Sequence, residues 1–193
     1  MARTSTKTRK TKETEIALTL SLDGQGLANV ASGIPFLEHM LDLLVKQAGF
    51  NLELKANGDL QVDLHHTVED IGLVFGDAFN EALGEKENIQ RYASASLPMD
   101  EALVMAAVDI SGRPFLDYDV DLPREEIKGF NVDLVADFLQ AFVSKAGITL
   151  HLRLLAGRNT HHIVEAVFKA LGLILGQAVK QNRKGVPSTK GML

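Results

Sequence analysis

The sequence predicts an α+β protein in which one half, a β-sheet packed with two α-helices, occurs twice in tandem, with the two halves packed together. The sequence His-His-Thr-Val-Glu at residues 65–69 recurs as His-His-Ile-Val-Glu at residues 161–165. An Ala-Gly step followed by an alternating apolar segment precedes each copy, within residues 46–54 and 144–152. A similar order of strands and helices is predicted around both copies, which favours a duplication of about half the chain.

The first repeat alternates between strands and helices. Its opening strand is predicted because Ile16, Leu18, Leu20 and Leu22 are spaced to share one face. Pro35 is typical of the first turn of a helix, and Gly84 is typical of a helix end. The residues Asn57-Gly58-Asp59 are typical of a hairpin turn. We predict strands at residues 15–22 and 50–56, a turn at residues 24–26, and helices at residues 33–48 and 65–83.

The second repeat shows a similar pattern. Apolar periodicity predicts strands at residues 102–109, 115–120 and 148–155, and helices at residues 133–145 and 160–181. The loop between its first two strands contains Ser111-Gly112-Arg113-Pro114. Residues 185–191 form a further loop. We assign residues 1–92 to the first repeat and residues 93–193 to the second, which includes this C-terminal tail.

We call each copy of this five-residue sequence a His-His motif, and each His-His motif places a histidine and a glutamate one helical turn apart. The pairs are His65 with Glu69 and His161 with Glu165, and each projects from one helix face. An imidazole and a carboxylate at this spacing can chelate a divalent ion. The second histidine of each His-His motif, His66 or His162, points about 100° around its helix from the first. One such pair is usually only a weak, solvated helix pair, but two in equivalent contexts favour a duplicated metal site.

Composition argues against several other classes of protein. The formal net charge of -5 argues against general nucleic-acid binding. No run of 18 apolar residues occurs, so we expect no membrane span. The absence of cysteine excludes disulfides, thiolate ligands and a cysteine nucleophile. The first residues carry no apolar signal core, and we expect a cytoplasmic protein.

Six stretches of the sequence match a known family. They are Gly33–Asp42, His65–Asp70, Pro98–Ala102, Ser111–Pro114, Leu155–His162 and Pro187–Gly191. With these stretches, which span almost its whole length, the chain resembles imidazoleglycerol-phosphate dehydratase of histidine biosynthesis. The resemblance implies ribosomal-protein-S5-domain-2-like repeats, a hydro-lyase with two Mn²⁺ ions per active site, and a homo-oligomer of 24 subunits. The implied reaction converts imidazole-glycerol phosphate to imidazole-acetol phosphate through a metal-bound imidazolate and a diazafulvene-like intermediate.

The resemblance also assigns roles to individual residues. Pseudosymmetry groups the metal ligands into two sets: His65, Glu69, His162 and Asp137 in one, and His161, Glu165, His66 and His39 in the other. The substrate-binding candidates are Glu13, Arg91, Arg113, Lys169, Ser188 and Lys190, with the tail closing over the bound substrate. The catalytic candidates are Glu13, His65, Glu69, His161 and Glu165. Because the two histidines of a His-His motif point in different directions, we expect each metal site to combine ligands from two subunits.

Two positions depart from the family pattern. Asp137 stands where many members have histidine, and Leu64 follows Asp63 where the family often has a second aspartate. An aspartate can bind a hard cation directly or through a water molecule. If the missing carboxylate orients a ligand in other members, metal affinity is lower in this chain.

Two alternative functions come from other classes of protein. A metal-binding assembly protein would use the His-His motifs to join subunits without turnover, but the basic positions that match a phosphate site argue against it. A phosphoryl-transfer enzyme would need a glycine-rich phosphate loop, and the sequence has none.

Overall fold

The computed structural model describes residues 3–123 and 125–191, and this part of the chain forms ten strands and four helices. The first repeat contains β1 (Thr4–Lys10), β2 (Thr14–Ser21), β3 (Leu27–Ala31), α1 (Pro35–Ala48), β4 (Asn51–Gly58) and α2 (His65–Leu83). The second contains β5 (Tyr92–Met99), β6 (Ala102–Asp109), β7 (Phe115–Asp119), β8 (Glu126–Ile127), β9 (Phe130–Asn131), α3 (Leu134–Ala146), β10 (Thr149–Ala156) and α4 (Thr160–Ala178). Apart from the short β8–β9 hairpin, both repeats have one element order.

Two four-stranded sheets share one topology. Their strand orders are β1-β2-β4-β3 and β5-β6-β10-β7. In each sheet the first three strands are antiparallel neighbours, and the fourth, β3 or β7, runs parallel to the strand beside it. Strand order and orientation therefore repeat together, which confirms the predicted α+β fold with a duplicated half. β5 starts at Tyr92, and the predicted boundary between residues 92 and 93 stays a prediction.

The helices join the two repeats. α2 packs on β1 and β2 of its own sheet and on α3, whereas α4 packs on β5 and β6 and on α1. One apolar core runs through both repeats, and Phe75 of α2 and Phe142 of α3 are buried in it with ring centroids 5.3 Å apart. Each helix pair therefore combines helices from different repeats. None of the helices in the described ranges is both long and apolar enough to cross a membrane.

Two glycines allow the paired helices to approach closely. A Cβ atom on Gly76 of α2 would lie 2.4 Å from the carbonyl oxygen of Phe142 on α3. A Cβ atom on Gly172 of α4 would lie 2.2 Å from the carbonyl oxygen of Leu44 on α1. The two glycines are 96 residues apart, and so are the two His-His motifs. Both helix pairs therefore depend on a residue without a side chain at equivalent positions.

The structure departs from the predicted elements mainly at the sheet edges. β1, β3 and β5 are edge strands that periodicity does not predict, because their sequences lack an alternating series of large apolar residues. The hairpin turn predicted at residues 57–59 is wrong, since β4 continues to Gly58 and the chain then enters α2. Gly58 leaves room for Thr67, whose Oγ1 atom would lie 2.0 Å from a Cβ atom at residue 58. The last helix ends at Ala178 rather than at residue 181.

Candidate metal centre

Three side chains with metal-binding atoms converge from two helices. His39 lies on α1, and His161 and Glu165 lie one turn apart on α4. Glu165 Oε1 is 2.9 Å from His39 Nε2 and 3.2 Å from His161 Nε2. The donor atoms all lie within 4.8 Å of one another, and no other group of three does so in residues 3–123 and 125–191. We call these three residues the first cluster.

Local packing fixes both elements of the first cluster. Asn159 caps α4, because its side-chain oxygen accepts a hydrogen bond of 3.0 Å from the backbone N–H of His161. The ring of Phe36 lies 5.5 Å from that of His161 and 5.1 Å from that of Phe130, centroid to centroid. The helix cap and the aromatic contacts hold His161 at the start of α4, where it faces α1.

Glu165 is charged throughout the physiological range. Its side chain is only 10% exposed, and burial alone would raise the pKa of Glu165. Hydrogen bonds from Lys169, His39 and His161 outweigh burial and lower that pKa to about 2. Lys169 Nζ donates to Glu165 Oε2 at 2.8 Å, so the other oxygen, Oε1, faces the two histidines. The cluster therefore offers an ionised carboxylate oxygen beside two imidazole nitrogens.

A second cluster lies at the equivalent position of the other helix pair. It consists of His65 and Glu69 on α2 and Asp137 on α3. Asp137 Oδ2 is 3.2 Å from His65 Nδ1, whereas Glu69 Oε2 is 4.0 Å from His65 Nε2. The two carboxylates thus face different nitrogens of one ring, and their side chains are 41% and 50% exposed. These three donors do not yet converge on one point, unlike those of the first cluster.

The second histidine of each His-His motif contacts carboxylates outside the two clusters. His66 Nδ1 is 3.1 Å from Asp59 Oδ2 and 3.8 Å from Glu13 Oε2. His162 Nδ1 is 2.7 Å from Glu101 Oε2. The hydrogen bond with Asp59 raises the pKa of His66, and the hydrogen bond with Glu101 raises that of His162 and lowers the pKa of Glu101 to about 2.

The structure therefore brings together three members of each predicted ligand set within one chain. The fourth members, His162 and His66, contact carboxylates outside the opposite clusters. Sequence reasoning did not identify Asp59 or Glu101 as part of the site. Glu101 lies within one of the six stretches that match the family, and this position could have identified it as a site residue. Asp59 was assigned to a hairpin turn, so the sequence did not identify it as a site residue.

The donors present in the two clusters suit a hard to intermediate divalent ion. Each cluster offers imidazole and carboxylate groups, and the chain contains no cysteine. Nitrogen and oxygen donors without sulfur are compatible with Mn²⁺, and also with Zn²⁺ or Fe²⁺. Lys169 contacts only the Oε2 atom of the ionised Glu165, so the Oε1 atom can serve as an anionic donor to a cation.

A separate cavity collects most of the predicted phosphate-binding residues. Its volume is about 850 Å³, and its walls include Arg91, Arg113, Ser188 and Lys190. Arg91 Nη1 donates to the backbone oxygen of Pro187 at 2.7 Å, which fastens the tail beside the cavity. Three cationic side chains and a hydroxyl in one cavity can bind a phosphate group.

Two predicted substrate-binding residues lie outside this cavity. Lys169 belongs to the first cluster through its bond to Glu165, and it also lies 3.3 Å from Met99 Sδ. Glu13 lies near His66, in the turn between β1 and β2. Within one chain, the cavity and the first cluster share no residue.

The chain is similar to known proteins over its whole length. A family model described as imidazoleglycerol-phosphate dehydratase matches residues 32–175. The imidazoleglycerol-phosphate dehydratases of Pelobacter propionicus and Oceanobacillus iheyensis are each 52% identical to it, over 100% and 99% of this chain and 100% of each relative. The crystal structure of the Staphylococcus aureus imidazoleglycerol-phosphate dehydratase superposes with a TM-score of 0.84 at 38% identity, covering 92% of this chain and 98% of that one. A Pyrococcus furiosus structure gives a TM-score of 0.84 at 37% identity, covering 97% and 100%.

Proposed function

The chain belongs to the imidazoleglycerol-phosphate dehydratase family, and we propose that its two clusters are the manganese sites of the active centre. The chain has the family's activity, the removal of water from imidazoleglycerol phosphate in histidine biosynthesis. The convergence of His39, His161 and Glu165 on one point is the observation that supports the metal assignment. Mn²⁺ as the ion, two ions per site and the individual ligand roles are parts of this proposal.

The bound ions would supply Lewis-acid chemistry, holding the imidazole ring of the substrate and favouring its anionic form. The residues of the chain orient that chemistry. Lys169 holds one oxygen of Glu165, so the other oxygen is directed to the metal position. A cavity of about 640 Å³, lined mostly by apolar residues such as Ile34, Phe36 and Phe130, lies beside His39 and His161.

Each metal site requires a second chain. His65 and His66 point about 100° apart on α2, so one helix cannot direct both at one ion. We place His162 of a neighbouring subunit on the second cluster and His66 of a neighbouring subunit on the first. Shared ligands link metal binding to association. The 24-subunit assembly and the cytoplasmic location stay predictions.

The phosphate group of the substrate would bind in the cavity lined by Arg91, Arg113, Ser188 and Lys190. Lys169 would contact the same substrate from the metal side, because it lies one turn beyond Glu165 on α4. Glu13 would transfer a proton or orient the substrate hydroxyls, because its carboxylate lies near His66 and its side chain is 55% exposed.

Metal depletion tests the metal assignment directly. We expect chelation to abolish turnover of imidazoleglycerol phosphate, and Mn²⁺ to restore it better than Mg²⁺, because imidazole ligands disfavour magnesium. His161→Ala should lose turnover and bound manganese together. His151→Ala is the matched control, because His151 lies on β10 and pairs with Asp117. Full turnover by thoroughly metal-depleted protein would contradict the proposal.

Assembly state tests the shared ligands. We expect metal-free protein to form a smaller species that returns to a large particle when Mn²⁺ is added, as measured by light scattering. His66→Ala should weaken this return, because it removes a ligand that one subunit offers to another. An active monomer at assay concentration would exclude shared sites.

A further inference from the structure

The second histidine of each His-His motif, His66 or His162, has a carboxylate partner at its Nδ1 atom. Glu101 Oε2 lies 2.7 Å from Nδ1 of His162, and Asp59 Oδ2 lies 3.1 Å from Nδ1 of His66. Glu101 lies in the turn between β5 and β6, whereas Asp59 lies in the connection between β4 and α2. The contact is therefore the same in both repeats, although the two carboxylates come from different places in the fold.

The duplication by itself does not explain this pair of contacts. Glu101 corresponds to Glu13, because each directly precedes the second strand of its repeat. Glu13 lies 3.8 Å from Nδ1 of His66, which is too long for a hydrogen bond. Asp59 corresponds at an offset of 98 residues to Gly157, which has no side chain. Each repeat thus supplies the same contact from a non-equivalent residue, which indicates that the contact itself is required.

The contact determines which ring nitrogen can bind a metal. An ionised carboxylate only accepts hydrogen bonds, so the Nδ1 atoms of His66 and His162 must carry the hydrogen. In the neutral ring the lone pair is then on Nε2. We propose that Asp59 and Glu101 are positioning residues that keep Nε2 of His66 and His162 available to metal ions held by a neighbouring subunit. This inference rests on the proposed function.

The fold fixes the carboxylate of Glu101 and the backbone of Asp59. The second oxygen of Glu101 accepts a hydrogen bond of 2.9 Å from the backbone N–H of Asn159, the residue that caps α4. The backbone N–H of Asp59 donates to the backbone oxygen of Glu13 at 3.1 Å. The Glu101 carboxylate thus connects the β5–β6 turn to the start of α4, and the Asp59 backbone holds its carboxylate beside His66. Neither imidazole ring can rotate without breaking its bond to a carboxylate.

Amide substitutions test the inference while preserving shape. In Glu101→Gln the amide oxygen can still accept from Asn159, so the amide N–H₂ faces His162 and favours hydrogen on Nε2, which blocks metal binding. Asp59→Asn can likewise present its amide N–H₂ to Nδ1 of His66. Asp59, unlike Glu101, accepts no hydrogen bond from the residue that caps a helix, so this substitution does not disturb a helix cap. We expect each variant to bind Mn²⁺ about 10–100-fold more weakly in calorimetry. Two-bond ¹H–¹⁵N spectra of metal-free protein should show a change of tautomer at the affected histidine.

Asp117→Asn is the matched control. It makes the same chemical change against His151, whose Nδ1 atom lies 3.1 Å from Asp117, and that pair is outside both clusters. Its Mn²⁺ affinity should equal that of the wild type. If the wild type binds Mn²⁺ and both amide variants bind it equally well with unchanged tautomers, the inference is overturned while the proposed function stands. A wild-type protein that binds no Mn²⁺ would overturn both. If Glu101→Gln does not fold, Asp59→Ala decides the outcome, because it removes the acceptor of His66 Nδ1 whatever the orientation of an amide would be, and unchanged Mn²⁺ affinity in that variant would overturn the inference.

Discussion

Gly172→Ala should destabilise the protein, although alanine is ordinarily the better helix residue. In an open helix this change would stabilise by about 1 kcal/mol. Here the added Cβ atom would lie 2.2 Å from the carbonyl oxygen of Leu44, whereas such atoms normally stay about 3.3 Å apart. The helices α1 and α4 must therefore separate by about 1 Å. Overpacking of this kind costs about 1–3 kcal/mol, and a backbone obstacle favours the upper part of that range, so we expect a net loss of about 2 kcal/mol.

The same displacement should damage the first cluster, because α1 carries His39 and α4 carries Glu165. A separation of about 1 Å would break the 2.9 Å contact between their side chains. A misplacement of this size can reduce the rate on the order of 100-fold. Urea unfolding of metal-free protein would measure the stability, and turnover with saturating Mn²⁺ would measure the rate.

Asn80→Ala provides the control for the helix substitution. Asn80 is exposed on α2, so its replacement should change the free energy of unfolding by no more than about 0.5 kcal/mol. If Gly172→Ala unfolds at the same or a higher urea concentration than the wild type, the close-packing explanation of the α1–α4 pair is wrong.

Three further predictions follow from the site. The pKa of Glu165 is about 2 in the folded protein against an ordinary 4.5, so the unfolded chain binds the proton first as the pH falls. The free energy of unfolding of metal-free protein should therefore fall by on the order of 3 kcal/mol between about pH 4.5 and pH 2. Glu165→Gln should make this loss of stability at low pH smaller. Calorimetry should show two classes of Mn²⁺ site, because only the first cluster is preformed, and His65→Ala should remove the weaker class; a single class in the wild type would contradict this. Lys190→Ala should raise KM and leave the manganese content normal. Lys169→Ala should raise KM and also weaken Mn²⁺ binding, because the Lys169 amine holds the carboxylate of Glu165. Equal Mn²⁺ affinity in both variants would show that Lys169 does not support Glu165 as a metal ligand.

The helices and the interior strands were predictable because their apolar residues recur with a clear period. The helix predicted at residues 65–83 has the bounds observed for α2, His65–Leu83. Three of the four edge strands, β1, β3 and β5, were not predictable, because their sequences lack an alternating series of large apolar residues. The fourth edge strand, β7, was predicted because Phe115, Leu116 and Tyr118 are typical of a strand. Gly58 was misinterpreted because glycine serves both turns and close contacts, and only the position of Thr67 distinguishes them.

The sequence by itself determined the residue types of the site and the contacts between residues one helical turn apart. His161 and Glu165 lie on one face because the covalent spacing and the helix geometry require it. Tertiary structure decided which distant residues join them. His39 is 126 residues from Glu165 along the chain and reaches it because α1 of one repeat packs on α4 of the other. That helix pairing results from the shape of the whole core, including the space left at Gly172, and no local period of the sequence encodes it.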